Sequence, residues 1–382
     1  MPYREFFATT VIGLEDVCAR EVAGILGLPG LPELGRGRIF FRAPLEAIYE
    51  LNLWARTMHK LFLLLYRGDF GGTLEGIYRA ARQLDYTGII RPEQSFAVRA
   101  ERVGQHDFTS MDVAARVGQA VIDSYLASRG VRLKVNLSEP DIELYAFVRD
   151  QELLLGINTT GASLHRRGYR VFKHPAALRT SVAAAMLYLA GWEGRGVLVD
   201  PMCGGGTIPI ESALMARHVP PGSFRGTAFA FVSFMDVGEF LRRRDEALAG
   251  ASRDTYNIIG IDRIRVFLDG AMRNARSAGV ADTISFRLGD ATRLADCLDE
   301  PPTHVVVNPP YGVRMRLRGL KRLYKAFLSS LKDVSSSCRL VLITSARGTF
   351  RRAAEAVGVE VLEEKKVLHG ELRASIFICQ VG

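Results

Sequence analysis

Apolar and polar residues alternate along the first 170 residues in short segments that predict strands separated by helices. Runs of β-branched and aromatic residues predict the strands, and apolar residues at helical spacing predict the helices. The first unit has predicted strands at 5–10, 37–41 and 60–66 and predicted helices at 14–26 and 44–53. The second has strands at 95–100, 134–137 and 142–149, a helix at 110–128 and a strand that begins at residue 152. This order predicts two small α+β units.

The rest of the chain follows a different pattern, in which buried strands alternate with helices. Predicted strands lie at 196–200, 256–262, 283–290, 305–307 and 339–345. Strands that alternate with helices are typical of a mostly parallel sheet. The C-terminal part is therefore predicted to be an open α/β sheet with helices packed on it.

Polar side chains stand at the ends of these buried strands. Asp200, Asp262 and Asp290 end three strands in turn, and Asn308 follows a fourth. In an open α/β sheet, ligands bind at the carboxyl edge of the strands. One aspartate alone is more often a helix cap or a solvated loop residue. The ordered set of four predicts a ligand site at that edge.

A glycine-rich turn follows the first of these strand ends. Gly204, Gly205 and Gly206 would let the backbone approach a ligand closely. A carboxylate at Asp200 would repel a pyrophosphate and attract an ammonium group and ribose hydroxyls. A glycine turn alone is weak evidence, but together with Asp200 it argues for a cationic amino-acid nucleoside rather than a dinucleotide.

The segment 305–312, with the sequence VVVNPPYG, combines a strand end with groups that could bind and orient an amine. Pro309 and Pro310 cannot donate to a sheet ladder, so the strand ends there. The Asn308 side-chain oxygen and the Pro309 carbonyl could accept both hydrogens of an exocyclic amine, and Tyr311 could stack on its ring. This arrangement predicts attack by an amine on an electrophile without an ionised base. The alternative is a turn that merely ends the strand.

Together these residues resemble the S-adenosylmethionine-dependent methyltransferases of the Rossmann-like class, from about residue 179 to residue 382. The resemblance implies a seven-stranded mixed sheet that ends in an antiparallel pair, at 359–366 and 373–381, and implies S-adenosyl-L-methionine as cofactor. Cofactor contacts are implied for Asp200, Cys203, Gly204, Gly205, Gly206, Thr207, Asp262, Asp290, Ala291 and Asn308. Catalytic roles are implied for Asn308, Pro309 and Tyr311.

A long insertion, at 217–256, separates the glycine turn from Asp262. It contains a charged helix and an aromatic run at 229–234. We predict that the insertion is a surface subdomain and that its aromatic run belongs to a core rather than to a cofactor contact.

Composition and charge narrow the choice of partner. Fifty basic residues against 41 acidic ones give a net charge of +9 and a pI near 9.4, which favours polyanions. No apolar run reaches the ~20 residues of a spanning helix, so we expect a soluble, cytoplasmic protein with no membrane partner. The five cysteines include no Cys-x-x-Cys pair, so no metal site is predicted. We expect a monomer.

Basic residues in the second unit are candidate phosphate ligands. They are Arg99, Arg102, His165, Arg166, Arg167 and Arg170. A solvated face is the alternative explanation for such a run of charges. Residues 95–170 resemble the THUMP domain, and residues 1–65 resemble the ferredoxin-like domain that accompanies it. The resemblance implies domains at 1–65, 66–170 and 171–382 and a tRNA partner that is held through shape and backbone contacts.

With asparagine at residue 308, the whole chain is similar to the THUMP tRNA guanine-N2 methyltransferases that act at position 6. The related enzymes that act at position 10 usually carry aspartate there. Alternatives are another tRNA position, ribosomal RNA, or a protein glutamine, although a glutamine methyltransferase has no need of a basic RNA-binding module. An alternative of another class is an RNA-binding protein with an inactive methyltransferase domain.

Overall fold

The computed structural model describes residues 3–310, 317–370 and 372–382, which form two β-sheets. The strands of the first sheet are β1 (Arg4–Thr9), β2 (Glu33–Gly35), β3 (Arg38–Ala43), β4 (Lys60–Asp69), β5 (Ser95–Val103), β6 (Lys134–Val135), β7 (Ile142–Arg149) and β8 (Glu152–Asn158). The helices of this half are α1 (Glu15–Leu26), α2 (Ala47–Trp54), α3 (Leu74–Arg82) and α4 (Ser110–Arg129). The predicted α+β character of the N-terminal half is confirmed.

One continuous eight-stranded sheet runs through this half, in the order β2-β3-β1-β4-β8-β7-β5-β6. Strand β4 pairs antiparallel with β1 on one side and with β8 on the other. Because β4 extends from Lys60 to Asp69, it crosses residue 65, the predicted junction of the two N-terminal domains. Because the sheet is continuous, both units contribute to a single core, which buries Phe6, Leu61 and Val98 of the strands against the helices.

The opposite face of this sheet carries a second cluster of apolar side chains, most of them aromatic. Its buried members are Phe7, Phe40, Phe62, Tyr145, Phe147 and Leu154, all from strands. Phe7 and Phe62 stack with ring centroids 4.6 Å apart. Alternate residues of a strand point to opposite faces of a sheet, so one face packs against helices and the other, here called the aromatic face, carries these rings.

The second sheet has seven strands, in the order β11-β10-β9-β12-β13-β15-β14. Its strands are β9 (Val197–Asp200), β10 (Asn257–Asp262), β11 (Ile284–Leu288), β12 (His304–Val307), β13 (Cys338–Thr344), β14 (Glu360–His369) and β15 (Leu372–Val381). The first five strands in that order are parallel, and β15 runs antiparallel to β13 and β14. The seven-stranded mixed sheet of the sequence prediction is confirmed.

Helices pack on this sheet, and the order of its strands indicates where a ligand could bind. Five helices pack on it: α5 (Thr180–Ala190), α6 (Thr207–Ala216), α8 (Arg265–Ser277), α9 (Leu317–Val334) and α10 (Arg347–Val357). A further helix, α7 (Val237–Ala249), contacts α2 of the N-terminal half. The chain order reverses between β9 and β12, so their carboxyl ends open a crevice. In the part of the chain that the structure describes, no helix combines the length and apolar character that crossing a membrane requires.

The insertion at 217–256 packs on the N-terminal half. Phe229, Phe231 and Phe240 are buried in the core that the N-terminal strands and helices form. The Tyr49 hydroxyl of α2 donates to the Asp236 carbonyl at 2.9 Å. The prediction that the aromatic run belongs to a core is confirmed. The prediction of a surface subdomain is wrong, because the insertion completes the core of the other half.

A buried polar network also joins the two halves. Nε of Arg167 lies 3.4 Å from Oε1 of Glu211 in α6, and these side chains are 1% and 0% exposed. The Tyr169 hydroxyl donates to the same carboxylate oxygen at 2.9 Å. Nη2 of Arg167 donates to the Arg56 carbonyl at 2.9 Å, and Nη2 of Arg56 donates to the Leu214 carbonyl at 3.1 Å. These bonds fix the orientation of α6 relative to the first sheet.

Candidate active site

The polar strand ends meet at one edge of the second sheet and line a cavity of about 540 Å³. Asp200 ends β9, Asp262 ends β10, and Asn308 directly follows β12. Asp290 lies two residues beyond β11. The lining also includes Cys203, Gly204, Gly205, Thr207, Ala291 and Pro309 from the predicted set. The fold therefore brings together side chains that lie far apart in the sequence.

Gly206 shapes the turn that carries this lining. It precedes the first residue of α6 with φ of 78°, a left-handed conformation that favours glycine. A Cβ at this position would lie 2.9 Å from the Cβ of Ala271 in α8. The absence of a side chain therefore lets the turn pack tightly against α8, while Gly204 and Gly205 face the cavity.

Asp200 is a buried carboxyl group, 2% exposed. Burial raises its pKa well above the usual range; a hydrogen bond from the Met202 backbone opposes this rise, and the charge of Asp262 adds to it. None of the described basic side chains forms an ion pair with it. A cationic ligand group would supply the partner that this carboxylate lacks.

The two other aspartates are held by backbone amides. Oδ2 of Asp262 accepts a hydrogen bond from the Gly204 N–H at 2.9 Å, and its Oδ1 accepts one from Ile264 at 2.9 Å. Oδ1 of Asp290 accepts from the Thr292 backbone and hydroxyl, both at 2.8 Å. The backbone bond is the main cause that lowers the pKa of Asp290. Asp290 therefore remains an ionised acceptor at the cavity wall.

Asn308 presents an acceptor without a partner. Its Oδ1 is buried and has no hydrogen-bond partner among residues 3–310, 317–370 and 372–382, and the residue lines the cavity together with Pro309. A buried carbonyl oxygen without a hydrogen bond costs free energy, and a donor on a bound ligand would remove that cost. Tyr311, the third predicted catalytic residue, lies outside the described residues.

The segment that links the two halves forms part of the cavity wall. Asn274 of α8 holds it in place: the Phe172 N–H donates to Asn274 Oδ1 at 2.8 Å, and Asn274 Nδ2 donates to the Gly205 carbonyl at 3.0 Å. The His174 ring contacts Phe267 edge-on with centroids 4.2 Å apart, and both line the cavity. Asn274 and Phe267 were not among the predicted residues, because a polar or aromatic residue inside a helix carries no separate sequence signal.

The six predicted RNA-binding residues differ in accessibility. Arg166 is exposed. Arg99 is also exposed and lies 3.5 Å from Glu143. Arg102 is half-buried, and its Nη1 donates to the Gly104 carbonyl at 2.8 Å. These three arginines lie on or close to the surface.

The other three residues take part in internal contacts. Arg167 belongs to the buried pair with Glu211 and has no path to a phosphate, so it is excluded from the candidate RNA surface. Arg170 Nη2 donates at 2.8 Å to the hydroxyl of Thr207, which lines the cavity at the strand ends. Burial and four nearby arginines lower the pKa of His165 to about 4, so at neutral pH this ring carries no charge for a phosphate.

Three family models match consecutive parts of the chain. Residues 5–62 match the RlmL ferredoxin-like domain, and residues 72–158 match the THUMP domain. Residues 167–375, more than half of the chain, match the RMKL-like methyltransferase domain. The chain belongs to the RMKL-like methyltransferase family. The cavity at the carboxyl edge of the second sheet is thus the candidate active site of an RMKL-like methyltransferase.

Two curated relatives cover nearly the whole chain. A tRNA (guanine(6)-N2)-methyltransferase of Methanocaldococcus jannaschii is 41% identical over 98% of this chain and 99% of its own length. A protein of the same description from Archaeoglobus fulgidus is 41% identical over 98% of this chain and 92% of its own length. Both relatives therefore align with this RMKL-like methyltransferase through its N-terminal half as well as its methyltransferase domain.

The fold also agrees with that of a solved structure. A crystal structure described as a methyltransferase complexed with SAH superposes with a TM-score of 0.87 and 24% identity. The match covers 99% of this chain and 98% of that one. The arrangement of the N-terminal sheet and the RMKL-like methyltransferase domain is therefore an established fold.

Proposed function

We propose that this chain transfers a methyl group from S-adenosyl-L-methionine to the exocyclic N2 amine of a guanosine in tRNA. The observation that carries the proposal is the buried Asn308 Oδ1, which has no hydrogen-bond partner among the described residues and lies in the cavity that Asp200 also lines. The names of the two relatives, which are 41% identical, agree with this substrate and with this atom. We extend the proposal to position 6 of the acceptor stem.

The donor set of the cavity suits a cationic nucleoside. Asp200 lacks a cationic partner among the described residues and would hold the ammonium group of the methionine tail. Asp262 would accept the ribose hydroxyls, and Asp290 with Ala291 would border the adenine. When bound, S-adenosylmethionine supplies an electrophilic methyl group.

The protein's contribution to the chemistry is to orient the amine. Asn308 Oδ1 would accept one hydrogen of the guanine N2 amine, and the Pro309 carbonyl would accept the other. These two bonds would direct the nitrogen lone pair at the methyl carbon, and such orientation lowers the barrier of a bimolecular step. The guanosine would reach the cavity by leaving its base stack, at a cost of a few kcal/mol.

Methyl transfer from labelled S-adenosylmethionine to unmodified tRNA transcripts tests the proposal. Nucleoside mass spectrometry should find N2-methylguanosine, and fragment mapping should place it at position 6. A matched transcript with adenosine at position 6, re-paired in the stem, should accept no label. Label in ribosomal RNA or protein, with none in tRNA, would contradict the tRNA substrate. Label in both transcripts would contradict only the position.

A further inference from the structure

A second cavity, of about 430 Å³, lies on the aromatic face of the N-terminal sheet, and none of its described lining residues lines the cavity at the strand ends of the second sheet. Its basic lining residues are Arg36, Arg38, Lys60 and Arg149, and the described acidic residue in the lining is Glu101. We call it the sheet-face cavity. Its lining has an excess of positive charge, which distinguishes it from the cofactor cavity with its three aspartates.

Arg38 is the most enclosed of these charges. The residue is 7% exposed, and its Cζ lies 3.5 Å from the centroid of the Phe147 ring. Nη2 donates to the Tyr145 hydroxyl at 3.3 Å, whereas Nε is buried and has no acceptor among the described residues. A buried charge with an unused donor is costly unless a partner is supplied.

Arg149 repeats this arrangement at the same ring. Its Cζ lies 5.0 Å from the Phe147 centroid, and its buried Nε also lacks an acceptor in the described part of the chain. Burial, and then the charges of Arg38 and Arg36, lower the pKa of Arg149. The protein has therefore gathered like charges that repel one another, and an anion bound between them would offset that repulsion.

The geometry selects the class of anion. A guanidinium group that lies over an aromatic ring keeps its edge free for two parallel hydrogen bonds, the pattern that matches a phosphate. We propose that the sheet-face cavity binds a backbone phosphate of the RNA substrate through Arg38 and Arg149. This proposal deepens the proposed function and rests on it for the identity of the RNA.

A single segment of the chain borders both cavities. Ser163 and His165 line the sheet-face cavity, and His174, Ala177 and Leu178 line the cofactor cavity. The hydroxyl of Thr180, the first residue of α5, donates to the His165 carbonyl at 2.8 Å. This bond holds the two ends of the segment 165–180 together. RNA anchored at the sheet face would therefore contact the same chain segment that forms part of the wall of the cofactor cavity.

The test compares three single variants, Arg38→Gln, Arg149→Gln and the control Arg42→Gln. Arg42 lies on the same strand and the same face as Arg38, but its side chain is 69% exposed, lies beside Glu5 and does not line the cavity. Each variant removes one positive charge. We measure the Kd for tRNA over a series of salt concentrations, together with the melting temperature with and without S-adenosylmethionine.

Arg38→Gln and Arg149→Gln should each weaken tRNA binding about tenfold. Each should also lower the slope of log K against log salt by about one. Arg42→Gln should stay within about twofold of the wild type, because it lacks the buried geometry. If Arg38→Gln melts before the assay temperature, Arg149→Gln against Arg42→Gln provides the same comparison. Equal losses in all three variants, or none in the two cavity variants, would overturn the site.

Two further measurements are needed. One distinguishes free phosphate from the phosphate of RNA, and the other distinguishes the proposed site from the proposed function. tRNA should raise the melting temperature of the wild type, and inorganic phosphate should not. If inorganic phosphate raises it and Arg38→Gln abolishes that rise, the cavity binds a free anion and the RNA site is overturned. Methyl transfer to tRNA by the wild type reports on the proposed function alone. Transfer that persists while Arg38→Gln binds tRNA like the wild type would retain the function and reject the site.

Discussion

Arg167 and Glu211 form an ion pair that water does not reach, with 3.4 Å between Nε and Oε1. Glu211→Gln should lower the free energy of unfolding by about 3–5 kcal/mol, because it leaves the arginine charge buried without a counter-ion. Urea unfolding measures the change. The control Glu246→Gln, which breaks a solvent-exposed pair with Arg242, should cost less than about 1 kcal/mol. Equal and small effects would show that the buried pair adds nothing to stability.

Asn308→Ala should reduce kcat about 100-fold while the Kd for S-adenosylmethionine changes little. The reason is that the substitution removes an acceptor that orients the amine, and loss of orientation acts on the reaction step. Asn308→Asp keeps an oxygen in the same place and should retain more activity than alanine does. Single-turnover methylation and cofactor titration separate the two quantities. Loss of cofactor binding in Asn308→Ala would assign this side chain to the cofactor instead.

Binding of S-adenosylmethionine should release a proton from Asp200. Burial raises the pKa of this group, so the free protein holds a proton there in the pH range just below the raised pKa, and a bound ammonium group favours the ionised form. Affinity for the cofactor should therefore rise with pH through that range. Calorimetry in two buffers of different ionisation enthalpy measures the proton directly. Asp200→Asn should abolish the buffer dependence, and a wild type without it would contradict the assignment.

The folded protein should lose stability as the pH falls from about 6.5 to about 4. Burial and nearby arginines lower the pKa of His165 to about 4, whereas an unfolded histidine titrates near ~6.5. Between these values the unfolded chain binds a proton that the folded chain does not. Stability from the neutral ring is thus complete above about pH 6.5 and is lost on acidification. His165→Gln should reduce the fall in melting temperature, and an unchanged fall would contradict this source.

The sequence predicted that several polar residues of the second sheet meet at one edge, because these residues stand at strand ends. Buried β-branched runs are easy to locate, and parallel strands bring their carboxyl ends to one edge. Asp200, Asp262 and Asn308 could therefore be placed together without knowledge of the helices between them. The number of strands in the second sheet followed from the family resemblance, and their order in the sheet, which only the structure shows, was not predicted.

Contacts between the two halves could not be predicted in this way. Arg167 stands in a run of basic residues that suggests a solvated or RNA-binding face, and only the packing of α6 shows that Glu211 neutralises it. Arg38 and Arg149 each stand two residues from an aromatic residue of the same strand. Many strands with one exposed face show this pattern, so it does not by itself indicate a binding site. Arg149 lies two residues from Phe147 on the same strand, but the contact of Arg38 with that ring depends on the arrangement of distant strands, which hydrophobic periodicity does not determine.

The phenyl rings of the insertion have a consequence for how the protein is made. Synthesis proceeds from the N terminus, and domains generally fold in that order. Tyr49 leaves the ribosome long before Phe231 and Phe240, which pack around it. The N-terminal half therefore cannot complete its apolar core until the insertion at 217–256 has been synthesised. We therefore expect the N-terminal sheet and the methyltransferase domain to complete their folding together.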